Sequence, residues 1–200
     1  MEKLMILNGS PRAPRSNSKE YAAIFAEACS LPTETFAITP KNHLELCSRM
    51  EGFSQLLLVF PLYADGIPAP LLSFLKTLAA HPPKKKPVIS VLINCGFIEW
   101  QQNRLAVEMV KLFCTQQGYV FGSALMIGSG EAILKTPFRF LAERGIRKLA
   151  ASIQRHQYRT FHTTMPLPKK LFIRASTNYW LAMGEKNGVS KEQMETMKIE

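Results

Sequence analysis

The sequence predicts a parallel α/β sheet with helices on both faces. Three observations carry that prediction. Short apolar runs and amphipathic stretches alternate five times, two of the runs are apolar without a break as central parallel strands are, and 200 residues suit one five-stranded domain. Strand–helix–strand units of this kind close with right-handed crossovers.

Each element has its own justification. Residues 3–8, with Leu4-Met5-Ile6-Leu7 ahead of Asn8, have the length and composition of a strand buried on both faces. A turn-rich segment follows. Asn17 or Ser18 then caps a helix to about residue 29, with Ala22, Phe25, Ala26 and Cys29 as its apolar stripe. Residues 33–39 place Phe36 and Ile38 among threonines and read as a short second strand, and one helical turn is expected near 44–50. Residues 55–60 form the third strand. Leu71, Leu72, Leu75, Leu78 and Ala79 recur at helical spacing until Pro82 and Pro83 stop that helix. A strand at 88–94 leads to a helix at 99–117, with Leu105, Met109, Leu112 and Phe113 on one apolar face and Gly118 at its end. A fifth strand at 119–127 and a basic helix at 138–157 complete the alternation. Residues 1–165 are thus expected to form the domain. Residues 166–200, set off by Pro166 and Pro168, are expected to be a helical appendage with a helix near 169–183.

Composition narrows the function classes. The apolar start at Leu4 to Leu7 is too short for a signal peptide, and no window holds the roughly 18 uncharged apolar residues of a membrane span. Cys29, Cys47, Cys95 and Cys114 stand 18, 48 and 19 positions apart, with no close pair for zinc, an iron–sulfur cluster or a disulfide scaffold. A cytoplasmic protein without a metal is expected. Net charge is +10, and the stretch from Lys135 to Arg174 holds ten Lys or Arg against Glu143 alone. Such a stretch is either a solvated helix face or a collector of anionic partners. His43, His81, His156 and His162 have neither a paired carboxylate nor metal-ligand spacing, so no general base is assigned.

Chemistry concentrates in loops 9–17, 61–69 and 94–99, which share the carboxyl edge of the predicted sheet, where such folds bind ligands. In the first loop, hydroxyls, an amide and two guanidinium groups gather at the amino end of a helix. There the helix dipole and free N–H groups favour an anion, and a monophosphate is the natural guest. The alternative is that Ser and Asn only cap the helix while the prolines shape the turn. Neither Gly-x-Gly-x-x-Gly nor Gly-Lys-Ser/Thr is present, so a dinucleotide fingerprint and phosphoryl transfer are not supported.

Gly9-Ser-Pro-Arg12 followed by Ser16-Asn-Ser18 resembles the phosphate loop of the NAD(P)H-dependent FMN reductase and quinone reductase families. Phe60-Pro-Leu-Tyr-Ala-Asp-Gly-Ile-Pro68 resembles their second flavin loop. The likeness covers roughly residues 3–130. It implies a flavodoxin-like doubly wound five-stranded parallel sheet in the order 2-1-3-4-5, with FMN as cofactor and NAD(P)H as co-substrate. Carried over residue by residue, it puts Ser10, Arg12, Ser16, Asn17 and Ser18 at the FMN phosphate, with Arg15 as a further candidate. It puts Pro61, Leu62, Tyr63 and Ala64 at the ribityl chain and ring, and the N–H groups of Asn94, Cys95 and Gly96 at the pyrimidine edge. Two departures matter. Only Cys47 lies where the related iron–sulfur flavoproteins carry clustered cysteines, and the basic charge is opposite to that of the acidic flavodoxin carriers.

The resemblance thus implies an FMN-dependent oxidoreductase that passes hydride from NAD(P)H to a small acceptor such as a quinone. The resemblance also leads us to expect a homodimer, with neither nucleic acid nor a membrane span. Two alternatives stay open: a non-catalytic binding module using its basic half for nucleic acid or a membrane, and an FMN electron carrier. Tyr63 either stacks on the flavin or plugs the sheet edge, and Cys95 reads as a small buried hydrophobe. The aromatic residues of the appendage are expected to pack across a dimer or over the domain, with a membrane surface as the other use.

Overall fold

A computed structural model describes residues 2–12 and 15–196. Six parallel strands, β1 (Leu4–Asn8), β2 (Thr33–Ala37), β3 (Gln55–Pro61), β4 (Val88–Asn94), β5 (Phe121–Ile127) and β6 (Thr160–Thr163), lie in the order β2-β1-β3-β4-β5-β6. Between them run α1 (Asn17–Ala28), α2 (His43–Arg49), α3 (Ala69–Ala80), α4 (Arg104–Gln117) and α5 (Arg139–Gln154). Short 3₁₀ turns occupy Met50–Gly52, Trp100–Asn103 and Ile133–Lys135. The first five strands keep the 2-1-3-4-5 order of a flavodoxin-like sheet.

The winding follows from strands that are apolar on both sides. One set of alternate residues, including Met5, Leu7, Leu58, Phe60, Val91 and Ile93, joins a core with α2, α3 and α4. The other set faces α1 and α5, which pack against each other and bring in Tyr21, Phe25, Ile146 and Leu149. β1 is followed by a crossover to β2 on one side, while β3 lies on its other side. The strand order therefore reverses between β1 and β3, and this opens a crevice at their carboxyl ends.

Three expectations are corrected. Among the described residues the sheet has six strands rather than five. β6 is only Thr-Phe-His-Thr on a half-exposed edge, so it has no continuous apolar run to announce it. The cap of α1 is Ser16, whose Oγ accepts the Lys19 N–H at 3.2 Å, and not Asn17 or Ser18. In α4 the buried face is Ala106, Val107, Val110 and Cys114, while Leu105 and Leu112 are 60% and 57% exposed. The 3₁₀ turn at Trp100–Asn103 precedes the helix, and smaller side chains let it settle closely on β4 and β5.

The chain divides into two compact units, Met1–Met165 and Pro166–Glu200. The second holds α6 (Lys169–Lys186) and α7 (Lys191–Thr196), neither with a buried residue. Val189 and Met194 close over Gly184 within that unit. Among the described residues no helix is long and apolar enough to cross a membrane.

Candidate functional site

The first loop begins where β1 ends. Asn8, 3% exposed, turns its Oδ1 to accept the Ser10 N–H at 3.0 Å, and the Ser10 Oγ accepts the Arg12 N–H at 3.3 Å. These short-range bonds fold the chain sharply away from the strand. Arg15 donates its N–H to the Arg12 carbonyl at 3.0 Å, and both guanidinium groups stand in solvent. Ala13 and Pro14 lie outside the described residues. Beyond Ser16, the first-turn N–H groups of Asn17 and Ser18 stand at the amino end of α1, the positive end of the helix dipole.

The side chains of Asn17 and Ser18 are committed elsewhere. Asn17 Nδ2 donates to the carbonyls of Gly130 and Glu131 at 3.2 and 3.4 Å. Ser18, 1% exposed, accepts from Asn94 Nδ2 at 3.4 Å. The buried Tyr21 hydroxyl donates to the Gly130 carbonyl at 2.8 Å, and burial raises its pKa well above the usual tyrosine range. These side chains lock the first loop to the third loop and to the segment after β5. What Asn17 and Ser18 offer a ligand is main-chain N–H.

The second loop is tied to the third by the Leu62 N–H, which donates to the Asn94 carbonyl at 2.7 Å. Tyr63 and Gly66 exchange N–H···O bonds of 3.1 Å in both directions around Ala64 and Asp65, whose φ values are +47° and +58°. Two consecutive left-handed residues make a type I′ turn without glycine at its centre. Ala64 is an unfavourable occupant, with no side-chain hydrogen bond to compensate. The turn leaves the Tyr63 ring 56% exposed.

In the third loop, Asn94 is buried and also donates to the Phe60 carbonyl at 3.3 Å. Cys95 departs from the role the resemblance implied. Its N–H donates to the Ile127 carbonyl at 2.9 Å, so it is spent in the sheet rather than turned to the rim. Its sulfur accepts from Asn103 Nδ2 at 3.3 Å, and burial pushes the thiol up to about 11. Gly96 is open to solvent, with the Glu131 carboxyl 3.5 Å from where a Cβ would stand. Phe97 follows, 53% exposed, and was not singled out in the sequence. A lone aromatic in a turn gives no periodic signal. Tyr21 and Gly130 were missed for a related reason, since their bond joins residues 109 positions apart.

The geometry brings the amino end of α1, Arg12 and Arg15, the exposed Tyr63 turn and the Gly96–Phe97 segment to one rim of the sheet. Cationic groups and the N–H donors of a helix start suit a phosphate monoester, and exposed aromatic faces suit a planar ring. Among the described residues no group of three or more His, Cys, Asp or Glu is placed to hold a metal ion.

No protein-family profile and no curated protein sequence matches the chain. Solved structures share its fold. An NAD(P)H:quinone oxidoreductase from Methanothermobacter marburgensis is 15% identical with a TM-score of 0.59, over 76% of this chain and 97% of that one. An FMN-dependent NADH-azoreductase from Bacillus anthracis, in complex with FMN, is 14% identical with a TM-score of 0.59, over 76% and 99%. Rubredoxin oxygen:oxidoreductase from Desulfovibrio gigas is 12% identical with a TM-score of 0.60; 78% of this chain is covered but only 36% of that one, so the chain spans about a third of its length.

Proposed function

We propose that the protein is an FMN-dependent oxidoreductase that takes hydride from NAD(P)H and delivers electrons to a small acceptor such as a quinone. The observation that carries this reading is the pairing, on one rim, of an anion-seeking helix start with an exposed aromatic turn held in a left-handed conformation. The likeness in fold to an FMN-dependent azoreductase and an NAD(P)H:quinone oxidoreductase supports it.

The residues present fit the cofactor. The phosphate is held by the N–H groups of Asn17 and Ser18 and the Ser16 hydroxyl, with Arg12 and Arg15 adding charge from solvent. Ser10 shapes that loop through its bond to Arg12. Pro61, Leu62, Tyr63 and Ala64 form the wall for the ribityl chain and ring, and Gly96 gives the close approach at the pyrimidine edge. Cys95 contributes packing behind that edge. FMN, when bound, supplies the ring that accepts hydride and hands electrons on. The protein's part is alignment: its loops are cross-tied by Asn94, Ser18 and Leu62, so a ring held against Tyr63 keeps one face for the nicotinamide.

Purified protein incubated with FMN and desalted is expected to stay yellow with one flavin per chain, and anaerobic NADPH is expected to bleach it. Colourless protein overturns the cofactor assignment. A yellow colour that persists under NADPH overturns the reductase reading in favour of a carrier. The homodimer belongs to the same proposal and is tested by light scattering.

A further inference from the structure

Beyond the third loop the chain builds a second group of planar side chains. Trp100 stacks on His162 of β6, with ring centroids 3.9 Å apart and planes 13° apart. The Arg104 guanidinium stands 5.1 Å over the same indole. A cavity of about 240 Å³ opens here, and its lining includes Trp100, His162, Arg104, Lys111, Met126 and Thr160. Trp100 is half-buried and His162 exposed, so the stack lies at the surface of an edge strand and not in the core.

The chemistry of the lining narrows the occupant. The indole already carries His162 and Arg104, so a purine would extend this stack on the imidazole or guanidinium plane, with Met126 and Val107 as apolar lining. Arg104 and Lys111 supply positive charge for a phosphate. Lys111 is shared with Glu108 at 2.6 Å, which leaves Arg104 the larger share of that work. The volume suits one base with its phosphate at the mouth, not a strand of nucleotides. Gly96 and Trp100 are four residues apart, at most about 14 Å along the chain, so a ligand can reach from the proposed flavin rim to this cavity.

We propose that this cavity binds the adenosine 2′-phosphate end of NADPH, which makes NADPH rather than NADH the favoured co-substrate. The proposal rests on the reductase reading for the identity of the ligand, but the cavity can be tested without turnover. The full chain, saturated with FMN, is titrated calorimetrically with 2′,5′-ADP and with 5′-AMP. We expect 2′,5′-ADP to bind about tenfold more tightly, as one added charge-assisted phosphate contact allows. Arg104→Gln should remove that advantage while leaving FMN affinity unchanged, and His162→Ala should weaken both adenylates through lost stacking.

Wild-type affinity for 2′,5′-ADP in Arg104→Gln overturns the proposal. So does adenylate binding that is seen only in FMN-free chain, because the adenylate then occupies the phosphate loop. Tighter retention of a single-stranded oligonucleotide that depends on Arg104 overturns it in favour of a polyanion site. The two readings fail separately. Arg104-dependent 2′,5′-ADP binding without flavin bleaching leaves the adenylate site and removes the reductase. Bleaching by NADPH with an unchanged KM in Arg104→Gln keeps the reductase and removes the site.

Discussion

Replacing Gly130 with alanine tests the cross-ties that hold the candidate site together. A Cβ there would stand 2.6 Å from Asn94 Cβ, 3.1 Å from Asn94 Oδ1 and 3.2 Å from the Cys95 carbonyl. Asn94 Cβ is fixed to the end of β4, so either the strand end or the 128–130 turn must move. Overpacking of this kind costs about 1–3 kcal/mol. Moving Asn94 also loosens its bonds to Ser18 and Phe60, about 1 kcal/mol more. The lower chain entropy of alanine in the unfolded state offsets about 0.5 kcal/mol. The expected loss is about 1.5–3.5 kcal/mol, a fall in Tm of about 3–14 °C for a chain of this size. Gly52→Ala is the control, since nothing lies within 4 Å of its Cβ position, and it should stay within about 0.5 kcal/mol of the native protein. Urea unfolding without FMN, at equal slopes, measures both. A Gly130→Ala protein as stable as Gly52→Ala would refute the cross-tie argument.

Tyr21→Phe removes the buried hydroxyl bonded to the Gly130 carbonyl and should cost about 1–2 kcal/mol in the same unfolding assay; no change would mean that Asn17 alone satisfies that carbonyl. Alkaline pH should destabilise the fold. Burial pushes the Cys95 thiol up to about 11 and the Cys114 thiol and Tyr119 hydroxyl up to about 12, so the unfolded chain loses these protons first. Stability is therefore full below about pH 9, where unfolded thiols begin to ionise, and falls as pH rises towards 12. A urea midpoint at pH 10.5 equal to that at pH 8 contradicts this. Arg12→Ala should weaken FMN binding only about two- to fivefold in a fluorescence titration, because the guanidinium is exposed and its charge is screened. A hundredfold loss would mean that the loop closes over the phosphate and desolvates Arg12.

What the sequence made legible depended on whether a residue's role was local. The Leu4–Leu7 and Leu56–Phe60 runs announce buried strands because every residue in them loses water, and composition alone records that. The serine-rich turn was legible to within two residues, since an N-cap and an Asx turn close within three residues, although the cap is Ser16 and not Asn17 or Ser18. Two misreadings show where this stops. Apolar residues of α4 cover more than one face, and which part is buried depends on the 3₁₀ turn before it and on how closely Ala106 and Val110 let the helix approach the sheet. A 3.6-residue period gives the width of that arc but not its phase. Cys95 fails differently. Motif position gave it an N–H at the rim, yet strand pairing decides where an N–H points, and β5 extends far enough for Ile127 to take it. Asn17 and Ser18 combine both cases: their place at a helix start was readable, but their side chains answer to Gly130 and Asn94, more than 70 positions away. Where α1 starts, and with it where its first N–H groups gather, was therefore readable, whereas the direction of the Cys95 N–H was not. The side chains that hold those groups still required the fold.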